Sequence, residues 1–153
     1  MKPLLVLLFL MLNCSLFSQN ADEVQVKTTI TEFFEAFHKQ DSVAIKSYMA
    51  DTVSLQSILE GEAGNTILKD SDFSDFLKSI VAIPKKIKFE ERILSNIVKI
   101  DGPMANAWTA YEFYINGKFS HCGVNSFQLI KKGETWKIYY IVDTRRTINC
   151  KQP

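Results

Sequence analysis

Apolar residues recur every three or four positions in the first half of the chain and every second position in the last third, a change from helical to strand periodicity. In Ala21–Lys39, Val26, Ile30, Phe33, Phe34 and Phe37 form one stripe, which predicts an amphipathic helix. Asp41 is placed to cap a short second helix that runs to Tyr48, by accepting from one of its first free amides. Val53–Leu59 and Asn65–Lys69 flank the turn-rich "EGEAGN" and predict a small hairpin. Ser71 then caps a third helix whose Phe73, Phe76, Leu77 and Ile80 share a face, and Pro84 stops it. From Lys86 onward the pattern predicts strands over 86–100, 104–115, 118–131 and 134–146, separated by "IDGP", "ING" and "KKGE". Connections that short make neighbouring strands antiparallel. Helices first and a meander afterwards predict an α+β domain.

Register then decides which side chains share a face. "NG" at Asn116–Gly117 suits a two-residue turn, which pairs Ile115 with Lys118. Carried along unbroken strands, this register sets Tyr114 opposite Phe119, Glu112 opposite His121 and Trp108 opposite Asn125. "KKGE" treated the same way pairs Lys131 with Glu134, and sets His121 opposite Thr144 and Asn125 opposite Tyr140. The two hairpins agree on one face made of Trp108, Glu112, His121, Asn125, Phe127, Trp136, Ile138, Tyr140, Val142 and Thr144. Being largely apolar, it is expected to be the side that the helices cover, with its polar members lining a cavity. Phe34 and Tyr48 are expected to reach that cavity from the helices. The other face, with Thr109, Tyr111, Phe113, Cys122, Val124, Ser126, Tyr139 and Ile141, is too apolar for plain solvent exposure and predicts a homodimer through the sheet's outer side. A one-residue bulge would invert any assignment beyond it.

Length and composition fit one globular domain, residues 19–153, preceded by a leader. The leader is "MKPLLVLLFLMLNCSLFS": an early lysine, an apolar run from Leu4 to Leu12, then small or polar residues. Cleavage is expected after Ser18, giving an exported protein, periplasmic or secreted. The alternative is a lipid anchor on Cys14, against which the bulky Asn13 argues. Cleavage removes Lys2 alone and takes Lys+Arg from 18 to 17 against 17 Asp+Glu, so the chain has no charge excess to attract nucleic acid or an anionic membrane. Cys122 and Cys150 survive cleavage. If the strand predicted over 134–146 ran on straight, Cys150 would lie more than ~20 Å from the position facing Cys122, so no intramolecular bridge is expected. The only histidines are His38 and His121, with no metal-ligand spacing, and no metal or cofactor is expected.

The run "YEFYINGKFSHCG", then "FQL", "GETWKI" and "DTRR", resembles the nuclear transport factor 2-like superfamily, which includes SnoaL-like cyclases and ketosteroid isomerases. The resemblance covers about residues 22–147. It implies a cone-shaped α+β domain with three N-terminal helices on a strongly bent antiparallel sheet, an open-ended pocket between them, and commonly a dimer through the sheet's outer face. It carries over no catalytic set, because the isomerases' acidic residues do not map onto this chain one by one.

Within the predicted pocket the sharpest constellation is Glu112 opposite His121, with Asn125, Trp108, Tyr140 and Thr144 nearby. A carboxylate beside an imidazole holds its tautomer and raises its pKa, which suits a general base. The same pair also serves as an ordinary satisfied polar contact, the more frequent case for buried polar groups. "DTRR" is able to pair Asp143 with an arginine at the sheet's outer edge, most simply as a solvated ion pair. Two functions follow: a noncatalytic domain binding a small, partly aromatic molecule, or a lyase or isomerase with His121 as base and Glu112 as its orienting partner.

Overall fold

Val26, Ile30, Phe33, Phe34 and Phe37 are all buried, so the predicted stripe is the face by which helix α1 (Lys2–Lys39) packs on the sheet. The computed structural model describes residues 2–60 and 64–150, with side chains described for 21–60 and 64–150. The expected leader, its cleavage after Ser18 and the alternative anchor Cys14 thus lie outside the described side chains. Helix α2 (Ser42–Ser47) starts at Asp41, whose carboxylate accepts from the N–H groups of Val43 and Ala44. Helix α3 (Phe73–Ala82) is capped by Asp72 rather than Ser71, through the Asp75 N–H, and ends at Ile83 just before Pro84.

The strands β1 (Met49–Glu60), β2 (Thr66–Ser71), β3 (Phe89–Asp101), β4 (Met104–Ile115), β5 (Lys118–Lys132) and β6 (Thr135–Arg145) form one sheet in the order β2-β1-β6-β5-β4-β3. β1 and β2 do pair as a hairpin, but β1 also runs parallel beside β6, from Ser54 opposite Tyr140 to Leu59 opposite Arg145. The sheet is therefore mixed, and not the purely antiparallel one expected. The helices lie on one face of it. Their phenylalanines meet Phe127, Leu129, Trp136 and Ile138 in the core. Phe33 and Phe34 each contact Phe127 edge-on at 6.0 and 5.8 Å between centroids, pairs worth about 0.5–1.5 kcal/mol each beyond their area. Asp22 ties the middle of α1 to the β5–β6 hairpin, accepting from Lys131 Nζ at 2.6 Å and Trp136 Nε1 at 3.2 Å. The Lys131 bond holds its carboxyl below the usual range.

Bulges and one displaced turn reset the faces. The "NG" turn forms as predicted, with Asn116 at φ 50 and Gly117 at φ 75, and pairs Ile115 with Lys118. Beyond it Ser120 is an extra residue on β5, so His121 lies opposite Phe113, and Glu112 lies opposite Cys122. The inward side chains of β4 are consequently Ala105, Ala107, Thr109, Tyr111 and Phe113, whereas Trp108 and Glu112 face outward. The second turn falls at Gly133–Glu134, one residue later than expected, and pairs Lys132 with Thr135. Tyr139 is then extra on β6. Trp136 and Ile138 stay inside as predicted, but past the bulge Ile141, Asp143 and Arg145 turn inward, and Tyr140, Val142 and Thr144 turn outward.

The cysteines do form a bridge, contrary to expectation. The new register sets Arg146 opposite Cys122, each N–H bonding the other's carbonyl at 2.9 Å. The chain then turns back through Asn149 at φ 54, and Cys150 closes a disulfide to Cys122 with a Cα–Cα distance of 5.7 Å. The expectation failed because it extended β6 in a straight line past a point where the chain reverses.

Candidate functional site

Between α1, α3 and the sheet lies a cavity of about 330 Å³, near the low end of the range of about 300–1,000 Å³ common for small-molecule sites. Phenylalanines dominate its walls: Phe33, Phe34 and Phe37 from α1, Phe76 from α3, Phe89, Phe113 and Phe127 from the sheet. Leu55, Ile80, Ile83 and Ile141 complete the apolar lining. The inward turns caused by the bulges place a polar cluster on the sheet side: Ser57, Glu91, Tyr111, His121, Asn125, Asp143 and Arg145.

Asp143 is the best-satisfied member of the cluster. Ser57 Oγ donates to its Oδ1 at 2.5 Å, and its Oδ2 accepts from Arg145 Nε at 2.7 Å and Tyr111 Oη at 3.3 Å. These donors allow a carboxylate to sit at 8% exposure. Tyr111 Oη also lies 3.0 Å from the Thr144 carbonyl oxygen. That approach requires Gly123: a Cβ there would overlap the Thr144 carbonyl oxygen and come within 2.8 Å of Tyr111 Cε1.

Glu91 is held differently. Asn125 Nδ2 donates to its Oε1 at 2.7 Å, while Oε2 accepts no hydrogen bond among the described residues. Burial pushes the Glu91 carboxyl up to about 7 and the Asp143 charge adds to this, against the Asn125 hydrogen bond and the Arg145 charge. Glu91 is partly buried and lines the cavity. His121 is stacked on Phe113 at 4.8 Å between centroids, with Nδ1 3.1 Å from Ser120 Oγ. Burial lowers the His121 pKa and the Arg145 charge lowers it further, the Asp143 charge acting the other way. Burial and the neighbouring charges of Asp143 and Glu91 push the Tyr111 phenol up. At neutral pH the pocket thus presents a neutral imidazole, a neutral phenol and one carboxyl balanced between its two protonation states.

Of the residues selected from the sequence, the structure brings His121, Asn125 and Phe34 together in the cavity. The other five lie elsewhere. Glu112 is on the outer face, where it accepts from Tyr114 Oη at 2.7 Å beside Arg92, whose guanidinium lies 4.1 Å from the Tyr114 ring centroid. The expected Glu112–His121 pair does not exist, because the bulge at Ser120 turns the two side chains to opposite sides of the sheet. Trp108 is outward and 45% exposed. Tyr140 donates to Gln56 Oε1, and Thr144 Oγ1 accepts from the Val124 N–H. Tyr48 caps the end of α2 and packs on the core without reaching the cavity. Four further cavity residues are not among those selected from the sequence: Glu91 and Arg145, and Tyr111 and Asp143, which were expected on the outer side of the sheet. For Glu91 a signal existed: Phe89 and Ile93 flank it two positions either side, so strand alternation alone puts this carboxyl on an apolar face. For the Asp143–Arg145 pair the signal was "DTRR", assigned to the wrong face. Among the described residues no group of three or more His, Cys, Asp or Glu is arranged to hold a metal ion.

No family model matches the chain. No curated protein matches it by sequence. Solved structures do match its fold. A Mycobacterium tuberculosis protein of unknown function superposes with a TM-score of 0.68 at 12% identity, over 88% of this chain and 77% of that one. A provisionally assigned dehydratase of the nuclear transport factor 2-like family from Streptomyces avermitilis gives 0.63 at 15% identity, over 84% and 98% of the two chains. The beta subunit of a provisionally assigned aromatic-ring-hydroxylating dioxygenase from Novosphingobium aromaticivorans gives 0.68 at 12% identity, over 86% and 94%.

Proposed function

We propose that this chain, which has the nuclear transport factor 2-like fold, is an exported domain that binds a small, largely apolar and ring-containing molecule in its phenylalanine-lined cavity. One observation carries the reading: the cavity is lined chiefly by phenylalanines, and its ionisable side chains, Glu91, His121, Asp143 and Arg145, come together with Asn125 on the sheet side. Shape and burial supply the affinity, and the polar wall fixes orientation. Arg145 donates through Nε to Asp143 and through one terminal nitrogen to Ser57 Oγ at 3.4 Å, which leaves its other N–H groups for an acceptor, while Glu91 Oε2 is able to accept or donate according to its protonation state. The ligand's polar end therefore carries a hydrogen-bond acceptor directed at Arg145 and a donor or acceptor directed at Glu91. Mutual satisfaction of Ser57, Tyr111, Asp143 and Arg145 supports a recognition role, since these groups brace one another.

The Cys122–Cys150 bridge supports an oxidising compartment and so the export reading. Exposed Ile97, Trp108 and Phe119 on the outer sheet face support a homodimer through that face.

A second reading has one specific support. Glu91 near neutrality and an uncharged His121 in the same cavity form a pair suited to moving a proton, the requirement of a lyase or isomerase. In that version Glu91 and His121 act on the ligand from β3 and β5, on either side of Phe113, and not as a bonded pair.

Native mass spectrometry of protein purified from its source without denaturation tests the binding reading. A bound small molecule is expected, and it is expected to be absent from Ile83→Trp, whose indole fills the cavity from the end of α3. Retention of the same molecule by the filled variant would move the site elsewhere. For the second reading, turnover with a pH profile that survives both Glu91→Gln and His121→Asn would remove their catalytic role.

A further inference from the structure

Strand β3 is an edge of the sheet, so alternate N–H groups along it point away from β4 and have no strand partner. At Glu91 that outward N–H donates to Nε2 of His38, in the last turn of α1, at 2.9 Å. A backbone N–H only donates, so Nε2 carries the lone pair and the ring proton sits on Nδ1. The imidazole packs among Phe34, Phe37 and Phe89, with centroids 6.2, 5.8 and 6.5 Å away. From the same residue, the Glu91 side chain runs into the cavity.

We infer that His38 is a positioning residue for the pocket: the neutral ring docks the Glu91 backbone against α1, and the protonated ring, with a hydrogen on Nε2, releases it and loosens the wall that carries the Glu91 carboxyl. The functional weight of this device rests on the cavity being the ligand site. The charged groups facing the ring are Glu35 from α1 and Glu90 from β3, the latter bonded to Arg92, and both carboxylates favour the protonated ring. Burial among the aromatic rings opposes them and is the larger effect, so the ring titrates below its ordinary value of 6.5. The pocket wall is accordingly docked at neutral pH and released in acid. His121, the other histidine, lies across the cavity and makes no bond to β3, so it does not substitute for His38.

The test is nuclear magnetic resonance of the whole protein between pH 7.5 and 5.0, with N-phenyl-1-naphthylamine as an uncharged fluorescent pocket probe. At pH 7.5 the His38 ring nitrogens are expected to report the Nδ1–H tautomer. On acidification the protection factor of the Glu91 amide, corrected for intrinsic exchange, is expected to fall about tenfold, the loss of one hydrogen bond. Probe affinity is expected to fall with the same midpoint. In His38→Gln, whose Oε1 accepts without titrating, the pH dependence of the Glu91 amide is expected to vanish, and that of the probe is expected to lose its component at the His38 midpoint and keep only the one from the Glu91 carboxyl near 7. An Nε2–H tautomer in the unaltered protein, or an equal fall in His38→Gln, overturns the inference. If that variant does not fold, tautomer and protection in the unaltered chain decide the matter. Failure of the probe to bind at any pH, with tautomer and protection as expected, refutes the ligand site and upholds the clamp.

Discussion

Replacing Glu91 by Gln removes a titrating group while keeping the acceptor that Asn125 uses, so its effect on stability isolates one proton. The Glu91 carboxyl rises from 4.5 to about 7 on folding, chiefly by burial. Because the folded value is the higher, the native state holds a proton that the unfolded chain has released across that window. The stabilisation from retaining it is complete below pH 4.5 and is lost as pH rises through about 7. At about 1.4 kcal/mol per pH unit the full window corresponds to roughly 3 kcal/mol, and access of cavity water to the carboxyl reduces this to about 2 kcal/mol. Relative to the unaltered protein, Glu91→Gln is therefore expected to gain about 2–3 kcal/mol of stability between pH 4.5 and 8. Urea unfolding at several pH values measures this, as a shift in midpoint difference on the order of 1–2 M. His38 and His121 titrate in both proteins and drop out of the difference. Parallel stability curves, with a difference constant within about 0.5 kcal/mol, would refute the account of Glu91 as a buried carboxyl.

Three further outcomes follow from the geometry. Cys122→Ser with Cys150→Ser removes a link closing 28 residues and is expected to cost about 3–4 kcal/mol, read as a lower urea midpoint that reductant reproduces in the unaltered protein; an unchanged midpoint in both would contradict the bridge. Gly123→Ala sets a methyl against a backbone carbonyl and the Tyr111 ring, and is expected to cost about 1–3 kcal/mol, with Tyr111 absorbance shifted toward solvent exposure; full stability would mean that the close approach is absent. Trp108→Glu places a charge on the outer face at a side chain already 45% exposed, so monomer stability is expected to change by less than about 0.5 kcal/mol, while sedimentation is expected to shift from dimer to monomer. A variant that sediments like the parent would reject that interface.

The helices were legible because their signal is redundant. Five apolar positions in one helix stripe agree, and no single residue alters the conclusion. The hairpin at Asn116–Gly117 was equally legible, since its turn type demands those residues. Face assignment in the sheet had no such redundancy. Period-two alternation carries no protection against one inserted residue, and Ser120 and Tyr139 are ordinary strand residues with nothing to mark them as bulges. His121 and Asn125 were placed correctly because both share the unbroken alternation of β5 beyond Ser120 with buried Phe127, whereas Glu112, Tyr140 and Thr144 lie on partners whose count had slipped. The parallel pairing of β1 with β6 was not legible either: it joins segments about 85 residues apart, and no local turn announces it. The site's most perturbed carboxyl, Glu91, was readable from its apolar flanks, but a more conspicuous carboxylate–histidine pairing drew the assignment away from it.

The most direct test of the pocket is a methyl nuclear magnetic resonance titration with small aromatic fragments bearing one polar group, using isoleucine δ1 labels as position markers. Ile80, Ile83 and Ile141 line the cavity, whereas Ile97 and Ile115 are exposed outside it. Binding in the cavity predicts saturable shifts at Ile80, Ile83 and Ile141, with Ile97 and Ile115 unmoved. Shifts confined to Ile97 and Ile115, or no saturable shift with any fragment, would contradict it.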